Sequence, residues 1–204
     1  PKFRPAYQGA NPISDLWALR AVDLVANYIV RAVADPSDDE ARSQMLLAAS
    51  LAGIGFGNAG VHLCHGMSYP VSGMVRDYRP DGLVTDHPIV PHGTSVVLTA
   101  PAVFRFTGPA DPDRHLQAAA RLGGDPSNVA NVQAEAGHFL ADQIISLMKK
   151  LELPNGLSAI GFTPEDIPDL VEGTLPQHRV TKLSPRPADQ EDLTSLFSDS
   201  MAIW

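Results

Sequence analysis

The sequence predicts an all-α fold, and three observations carry that prediction. Apolar residues recur at spacings of three and four along several segments, the period of a helix with one buried face. Capping side chains stand directly before proline at Asn11-Pro12, Asp111-Pro112 and Thr163-Pro164, and proline suits the first turn because its missing N–H would be unpaired there anyway. No series of alternating apolar and polar residues bounded by turn signals marks a sheet. Residues 1–204 are accordingly read as one helical domain of roughly seven to nine helices.

In chain order, residues 1–9 read as an extended, proline-containing arm. Asn11-Pro12 opens a helix whose inner face is Leu19, Val22, Val25, Ala26, Ile29 and Val33, with Arg20, Asp23, Asn27 and Arg31 outward. It stops at Asp35-Pro36. Ser37 with Glu40 three residues on reads as a capping box for a second helix through Leu46, Leu47 and Leu51. Thr94 to Phe106 is apolar on most sides; its valines favour strand, but Ala100-Pro101-Ala102 favours a buried, proline-kinked helix. Asp111-Pro112 starts a helix closing at Gly123-Gly124, and a long one follows from about Ser127 to Leu151 with Val132, Phe139, Leu140, Ile144, Leu147 and Leu151 inward. Thr163-Pro164 opens a short helix to Glu172, residues 173–187 form an ordered surface connection, and Asp189 to Met201 is the last helix.

Composition narrows the function classes. A chain of 204 residues with 44% hydrophobic content can bury a sizeable core. Its 15 basic and 23 acidic residues give a formal charge of −8, which repels phosphate backbones and argues against nucleic acid or anionic lipid as partners. No apolar run approaches the ~20 residues that span a bilayer. The single cysteine, Cys64, forms no internal disulfide and fits a reducing compartment, the cytoplasm or, in a eukaryote, the mitochondrial matrix. Pro1-Lys2-Phe3-Arg4-Pro5 lacks a basic segment followed by an apolar one, so no signal peptide is expected, and the start reads as that of a fragment.

The chemistry concentrates between Gly53 and Gly93, which holds four of the seven histidines and the cysteine. Gly55-Phe56-Gly57-Asn58-Ala59-Gly60 matches GxGxxG, but that pattern binds a dinucleotide only between a strand and a helix, and here it follows a helical segment. Its glycines are expected to permit close packing. His62 and His65, at i and i+3, would share a helix face, and His92 in Pro91-His92-Gly93 could converge on them as a metal site. Hydrogen-bonded core histidines are the equally weighted alternative. Cys64 is read as buried and inert, because the adjacent His65 points about 100° away on a helix and cannot act as its base.

Gly57-Asn58-Ala59-Gly60, then His65-Gly66-Met67-Ser68-Tyr69-Pro70, and later Pro91-His92-Gly93 resemble the metal-binding signature of the iron-containing alcohol dehydrogenase family, where an HGxxHP helix precedes a PHG segment. Arg4-Pro5-Ala6-Tyr7-Gln8-Gly9, Asn11-Pro12-Ile13-Ser14-Asp15, the insertion with Asp86-His87-Pro88, Gly173-Thr174-Leu175-Pro176-Gln177 and Thr181-Lys182-Leu183 resemble its hydroxyacid-oxoacid transhydrogenase branch in particular. Almost the whole chain is covered.

The resemblance implies the multi-helix C-terminal domain of the dehydroquinate synthase-like fold, with an N-terminal NAD(P)-binding domain absent from this chain. It implies a divalent metal, iron or zinc, in the cleft between the domains, with His65 and His92 as the two ligands this chain contributes. An Asp and a His four residues apart on an earlier helix would complete the set. Asp15-Leu16-Trp17-Ala18-Leu19 is no substitute, having no His at the fifth place. Tyr69 replaces the second His of HGxxHP, where the resemblance implies a place beside nicotinamide and substrate, as a hydrogen-bond donor or a packing residue. His62 is read as a polar cleft residue, Asp86 and His87 as possible walls of a carboxylate pocket, and His115, His138 and His178 as scaffold. The implied reaction carries hydride between a hydroxy acid and an oxo acid through bound nicotinamide. An ordinary metal-dependent alcohol dehydrogenase with exchangeable NAD(P), and a stand-alone helical module with His62, His65 and His92 as a three-histidine site, are the alternatives. The uncovered cleft face is expected to be apolar in patches and prone to self-association.

Overall fold

Asn11 sets the first helix. In the computed structural model, which describes residues 7–204, its side chain accepts the Ser14 N–H at 3.0 Å and Pro12 begins α1, Pro12–Ala34. Asp38, not Ser37, caps α2 (Asp39–Ala59), accepting the Ala41 N–H at 2.9 Å. Ser37 is held instead in the preceding turn, where its N–H and hydroxyl both donate to Asp35. The first six residues of the expected N-terminal arm lie outside the described residues.

α1 and α2 pack on each other through their smallest side chains, Ala21, Ala41 and Ala48 being buried. At Gly55 a Cβ would lie 3.3 Å from the Ala18 nitrogen and the Ser14 carbonyl, so the helices meet there nearly backbone to backbone. On α1 the expected face is partly buried from Leu19 to Ile29 and fails only at Val33, whereas α2 is turned away from its expected face. Leu46 is 72% exposed and Val33 61%, whereas Ser14, Ala21 and Leu24 are buried. Large apolar residues that a spacing rule turns inward are displaced wherever glycine and alanine make the closer contact.

The remaining helices are α3 (Leu63–Gly73), α4 (His92–Val97), α5 (Ala100–Thr107), α6 (Pro112–Arg121), α7 (Val132–Lys150), α8 (Ile167–Thr174), α9 (His178–Thr181) and α10 (Gln190–Asp199), with short 3-10 turns between some of them. The described residues contain no strand. Thr94 to Phe106 is two helices rather than one kinked helix, because Pro101 sits in the first turn of α5 and cannot continue α4. Asp125-Pro126 yields only a 3-10 turn, and α7 starts five residues later than expected, at Val132, capped by Asn131, whose side chain accepts the Ala134 N–H. Its buried residues are Ala136, Gly137, Leu140, Ala141, Ile145 and Met148, and Val132 is exposed. The connection over 173–187 includes the short α9, which packs Thr181 against Gly66.

The core lies where α3, α5, α7, α8 and α10 meet, built on Leu63, Met67, Leu98, Leu170 and Phe197. The α1–α2 pair stands beside it and reaches it mainly through α6. Two ion pairs make that link, Arg114 to Asp15 at 2.6 Å and Arg121 to Asp23 at 2.9 Å. No single helix among the described residues is long and apolar enough to cross a membrane.

Candidate metal centre

α3 is buried along Leu63, Cys64, Gly66, Met67, Ser68, Pro70 and Val71, which leaves His65 and Tyr69, one turn apart, on its partly accessible face. Pro91 precedes α4, so His92 is its first residue and lies exposed. The two segments bring the imidazole rings of His65 and His92 to a centroid separation of 5.2 Å, tilted by 59°. Burial, and secondarily the proximity of His92, hold the His65 pKa below its ordinary value, so its ring is neutral at pH 7 and free to donate a lone pair to a cation.

Each histidine has a buried serine three residues on. Ser68 Oγ donates to the His65 carbonyl at 2.8 Å and Ser95 Oγ to the His92 carbonyl at 2.8 Å. Both serines are fully buried, so these bonds fix the backbones that aim the two rings. The repeated His-x-x-Ser spacing was present in the sequence and was the available signal for them.

His62 does not join the pair. It is the residue before the first turn of α3, with φ −128° and ψ −139°, so the i, i+3 rule does not apply to it. Its ring stands edge-on to Phe104 at 6.2 Å, and Nδ1 is buried without a hydrogen-bond partner among the described residues. Burial, then the neighbouring His115 and His65, push its pKa down to about 4, and it is neutral. Among the described residues no group of three or more His, Cys, Asp or Glu could hold a metal, which speaks against a three-histidine site.

His115 is buried, with Nδ1 2.7 Å from the Asp111 carbonyl and Nε2 2.8 Å from Thr107 Oγ1. A carbonyl only accepts, so Nδ1 carries the proton, and the single Thr107 hydroxyl proton is shared between Nε2 and the Val103 carbonyl, which lies 3.0 Å from Oγ1. Burial holds this pKa down too, consistent with that neutral tautomer. His138 and His178 are exposed on α7 and α9. Asp86 and His87 pair with each other at 2.6 Å in an exposed loop. Burial pushes the Cys64 thiol up to about 12, leaving it protonated.

The GxGxxG glycines occupy the last turns of α2 and its end. Gly60 has φ +81°, and a Cβ there would lie 2.5 Å from Leu183 Cδ1 and 2.7 Å from the Tyr7 ring. Gly55 and Gly60 serve packing and chain reversal, whereas Gly57 has nothing within 4 Å of a would-be Cβ.

The profile of the Fe-containing alcohol dehydrogenase family, C-terminal, matches residues 6–201. The chain belongs to the iron-containing alcohol dehydrogenase family. It is 56% identical, over its whole length, to the mitochondrial hydroxyacid-oxoacid transhydrogenase of Homo sapiens and to the probable mitochondrial hydroxyacid-oxoacid transhydrogenase of Dictyostelium discoideum. It covers 43% of the first and 37% of the second, so it spans less than half the length of these curated relatives. Among solved structures it is similar to 1,3-propanediol oxidoreductase, with a TM-score of 0.82 and 25% identity over 95% of this chain and 46% of that one. Sulfoacetaldehyde reductase from Bifidobacterium kashiwanohense in complex with NAD+ matches with a TM-score of 0.72 and 26% identity, over 95% of this chain and 45% of that one. The all-α domain of an iron-containing alcohol dehydrogenase is thus shared in fold as well as in sequence.

Proposed function

We propose that this chain is the metal-binding C-terminal domain of an oxidoreductase that passes hydride between a hydroxy acid and an oxo acid through a bound nicotinamide. The observation that carries the reading is the His65–His92 pair within a chain 56% identical throughout to the transhydrogenases. The substrate pair this favours is 4-hydroxybutyrate-like as donor and 2-oxoglutarate-like as acceptor. The whole protein would add an N-terminal domain for NAD(P), and the compartment would be mitochondrial in a eukaryote, as the names of the relatives suggest.

The residues fit a divalent metal. Two imidazoles from separate helices lie close, one is held neutral by burial, and both backbones are pinned by buried serines. Iron and zinc both accept such nitrogen donors. When bound, the metal supplies Lewis acidity, which stabilises negative charge on the alcohol oxygen as hydride leaves its carbon.

The chain's own part is to hold and orient. His65 and His92 would be two of the ligands, and the described residues alone hold too few for a closed site. Tyr69, one turn beyond His65 and half-buried, would donate a hydrogen bond to the substrate and help fix which face of it meets the nicotinamide. Oxidation of the hydroxy acid would release a hydride, for which a bound nicotinamide would be the acceptor, and one proton from the hydroxyl. Reduction of the oxo acid would take up one of each, so the paired reactions balance without an external oxidant.

Turnover by the whole protein tests this. A hydroxy acid and an oxo acid should interconvert without added NAD, and the 204-residue chain alone should be inactive. An absolute requirement for added NAD(P), with an oxo acid unable to replace it, would assign the protein to the ordinary alcohol dehydrogenases instead.

A further inference from the structure

The helices that carry His65 and His92 bring no charged side chain to the site other than the histidines themselves: α3 and α4 contain no Asp, Glu, Lys or Arg. A hydroxy acid and an oxo acid each carry a carboxylate, and the chain as a whole, at −8, repels it. A cation close to the pair therefore decides whether such a substrate is held and turned the right way.

Few cations are placed for this. Of the helices packed on α3, α4 and α8 carry no Lys or Arg. Arg105 of α5 sits against α7, its Cα 3.2 Å from where a Cβ of Gly137 would be. In the loop that joins α3 to α4, Arg76 pairs with Asp166, and Arg79 donates to the Thr85 and Asp86 carbonyls at 2.8 and 3.4 Å.

α9 is what remains. Residues 173–183 run along α3 as a wall beside His65 and Tyr69. A Cβ at Gly173 would lie 2.8 Å from Pro70 Cβ, one at Gly66 2.7 Å from Thr181 Cγ2 and 3.9 Å from Gln177 Cβ, and one at Gly60 2.5 Å from Leu183 Cδ1. Gln177 and Thr181 are thus the side of the α9 turn that rests on α3. Leu183 lines the same open cleft as His62, and Arg179, four residues before it, shares its side of the turn. His178 and Lys182 share a third side. Arg179 is exposed and enters no ion pair among the described residues.

We propose that Arg179 selects acids as substrates, its guanidinium binding the carboxylate that stands two methylenes from the reacting carbon. In 4-hydroxybutyrate two methylenes separate the alcohol carbon from the carboxylate. In 2-oxoglutarate two methylenes separate the keto carbon from its far carboxylate. One cation at one distance therefore serves donor and acceptor in turn. The planar fork of Arg meets a carboxylate with two parallel N–H···O bonds, which orients the chain of the substrate as well as holding it. The inference rests on the proposed reaction and adds the residue that recognises its acids.

Binding and turnover by the whole protein test it. Arg179→Gln should lower kcat/KM by about 10- to 100-fold for each of the two acids, the effect of a lost charge-assisted pair. For butan-1-ol, the same carbon chain without the carboxylate, the change should stay under about 3-fold. Affinity for butyrate, which keeps the carboxylate but has no hydroxyl to react, should fall by the same 10- to 100-fold or so in an equilibrium titration. Arg179→Lys, which keeps the charge and loses the fork, should recover part of the loss, and Lys182→Gln should cost less than about 3-fold. Undiminished affinity for butyrate in Arg179→Gln would overturn the proposal. So would an equal loss with butan-1-ol, which makes Arg179 part of the scaffold, a loss confined to one of the two acids, or an equal loss in Lys182→Gln, which makes the effect one of general charge. A wild-type protein that turns over neither acid fails the proposed reaction itself, and the butyrate titration still scores the carboxylate site.

Discussion

The rings of His65 and His92 lie 5.2 Å apart although they come from different helices, and each helix is pinned at that point by a buried serine hydroxyl. Metal affinity should follow this pairing. In the whole protein, His65→Ala and His92→Ala should each lower affinity by more than roughly 100-fold, seen as metal lost on dialysis, while His62→Ala retains it. Ser68→Ala and Ser95→Ala should lower affinity about 10-fold and cost about 1 kcal/mol of stability in urea titrations. If His62→Ala strips the metal as fully as His65→Ala, the assigned ligands are wrong.

Tyr69 shares the accessible face of α3 with His65 but is proposed to touch substrate, not metal. Tyr69→Phe should therefore leave metal content unchanged and lower kcat/KM by about 10-fold, the effect of one lost hydrogen bond that strengthens in the transition state. A Phe variant with full activity would make Tyr69 a packing residue.

Much of the fold was legible because caps are local. Asn11-Pro12, Asp189 before the last helix and the left-handed Gly123 after α6 are read from adjacent residues, and each ends or starts a helix as expected. Helix rotation was legible only in part, because it depends on the partner. Leu46 and Val33 are large and suitably spaced, yet the alanines and Gly55 make the contact, and no rule within one helix registers that. His62 failed for a related reason: its spacing to His65 holds only inside a helix, and the helix begins at Leu63.

The three glycines of the GxGxxG run should respond differently to alanine in the 204-residue chain. Gly57 lies within α2 with nothing within 4 Å of its would-be Cβ, so Gly57→Ala should stabilise by about 0.5–1 kcal/mol through helix propensity. Gly55→Ala would place its methyl 3.3 Å from the Ala18 and Ser14 backbone, and should destabilise by about 1–3 kcal/mol. Gly60→Ala should also destabilise, from its φ of +81° and its contacts with Leu183 and Tyr7. Urea midpoints check all three. Uniform destabilisation would mean that α2 does not continue through Gly57.

Stability should fall on mild acidification, and His62 should account for much of the fall. Its folded pKa is about 4 against an unfolded 6.5, so between those values the unfolded chain binds a proton that the folded chain does not. The stability is fully present above about pH 6.5 and is lost as pH falls towards 4, at most about 3 kcal/mol for this one group. His115, also held down by burial, acts in the same direction, so some slope remains when His62 is replaced. Carboxylates with lowered pKa, such as Asp38 beside the Ala41 N–H and Asp166 beside Arg76, lose their contribution at lower pH and stay ionised through most of this window. Urea unfolding of the metal-free 204-residue chain at about pH 7 and about pH 5 should show a clear drop, and His62→Gln should remove about half or more of it. An unchanged slope in the Gln variant would mean that the His62 ring is hydrated in solution.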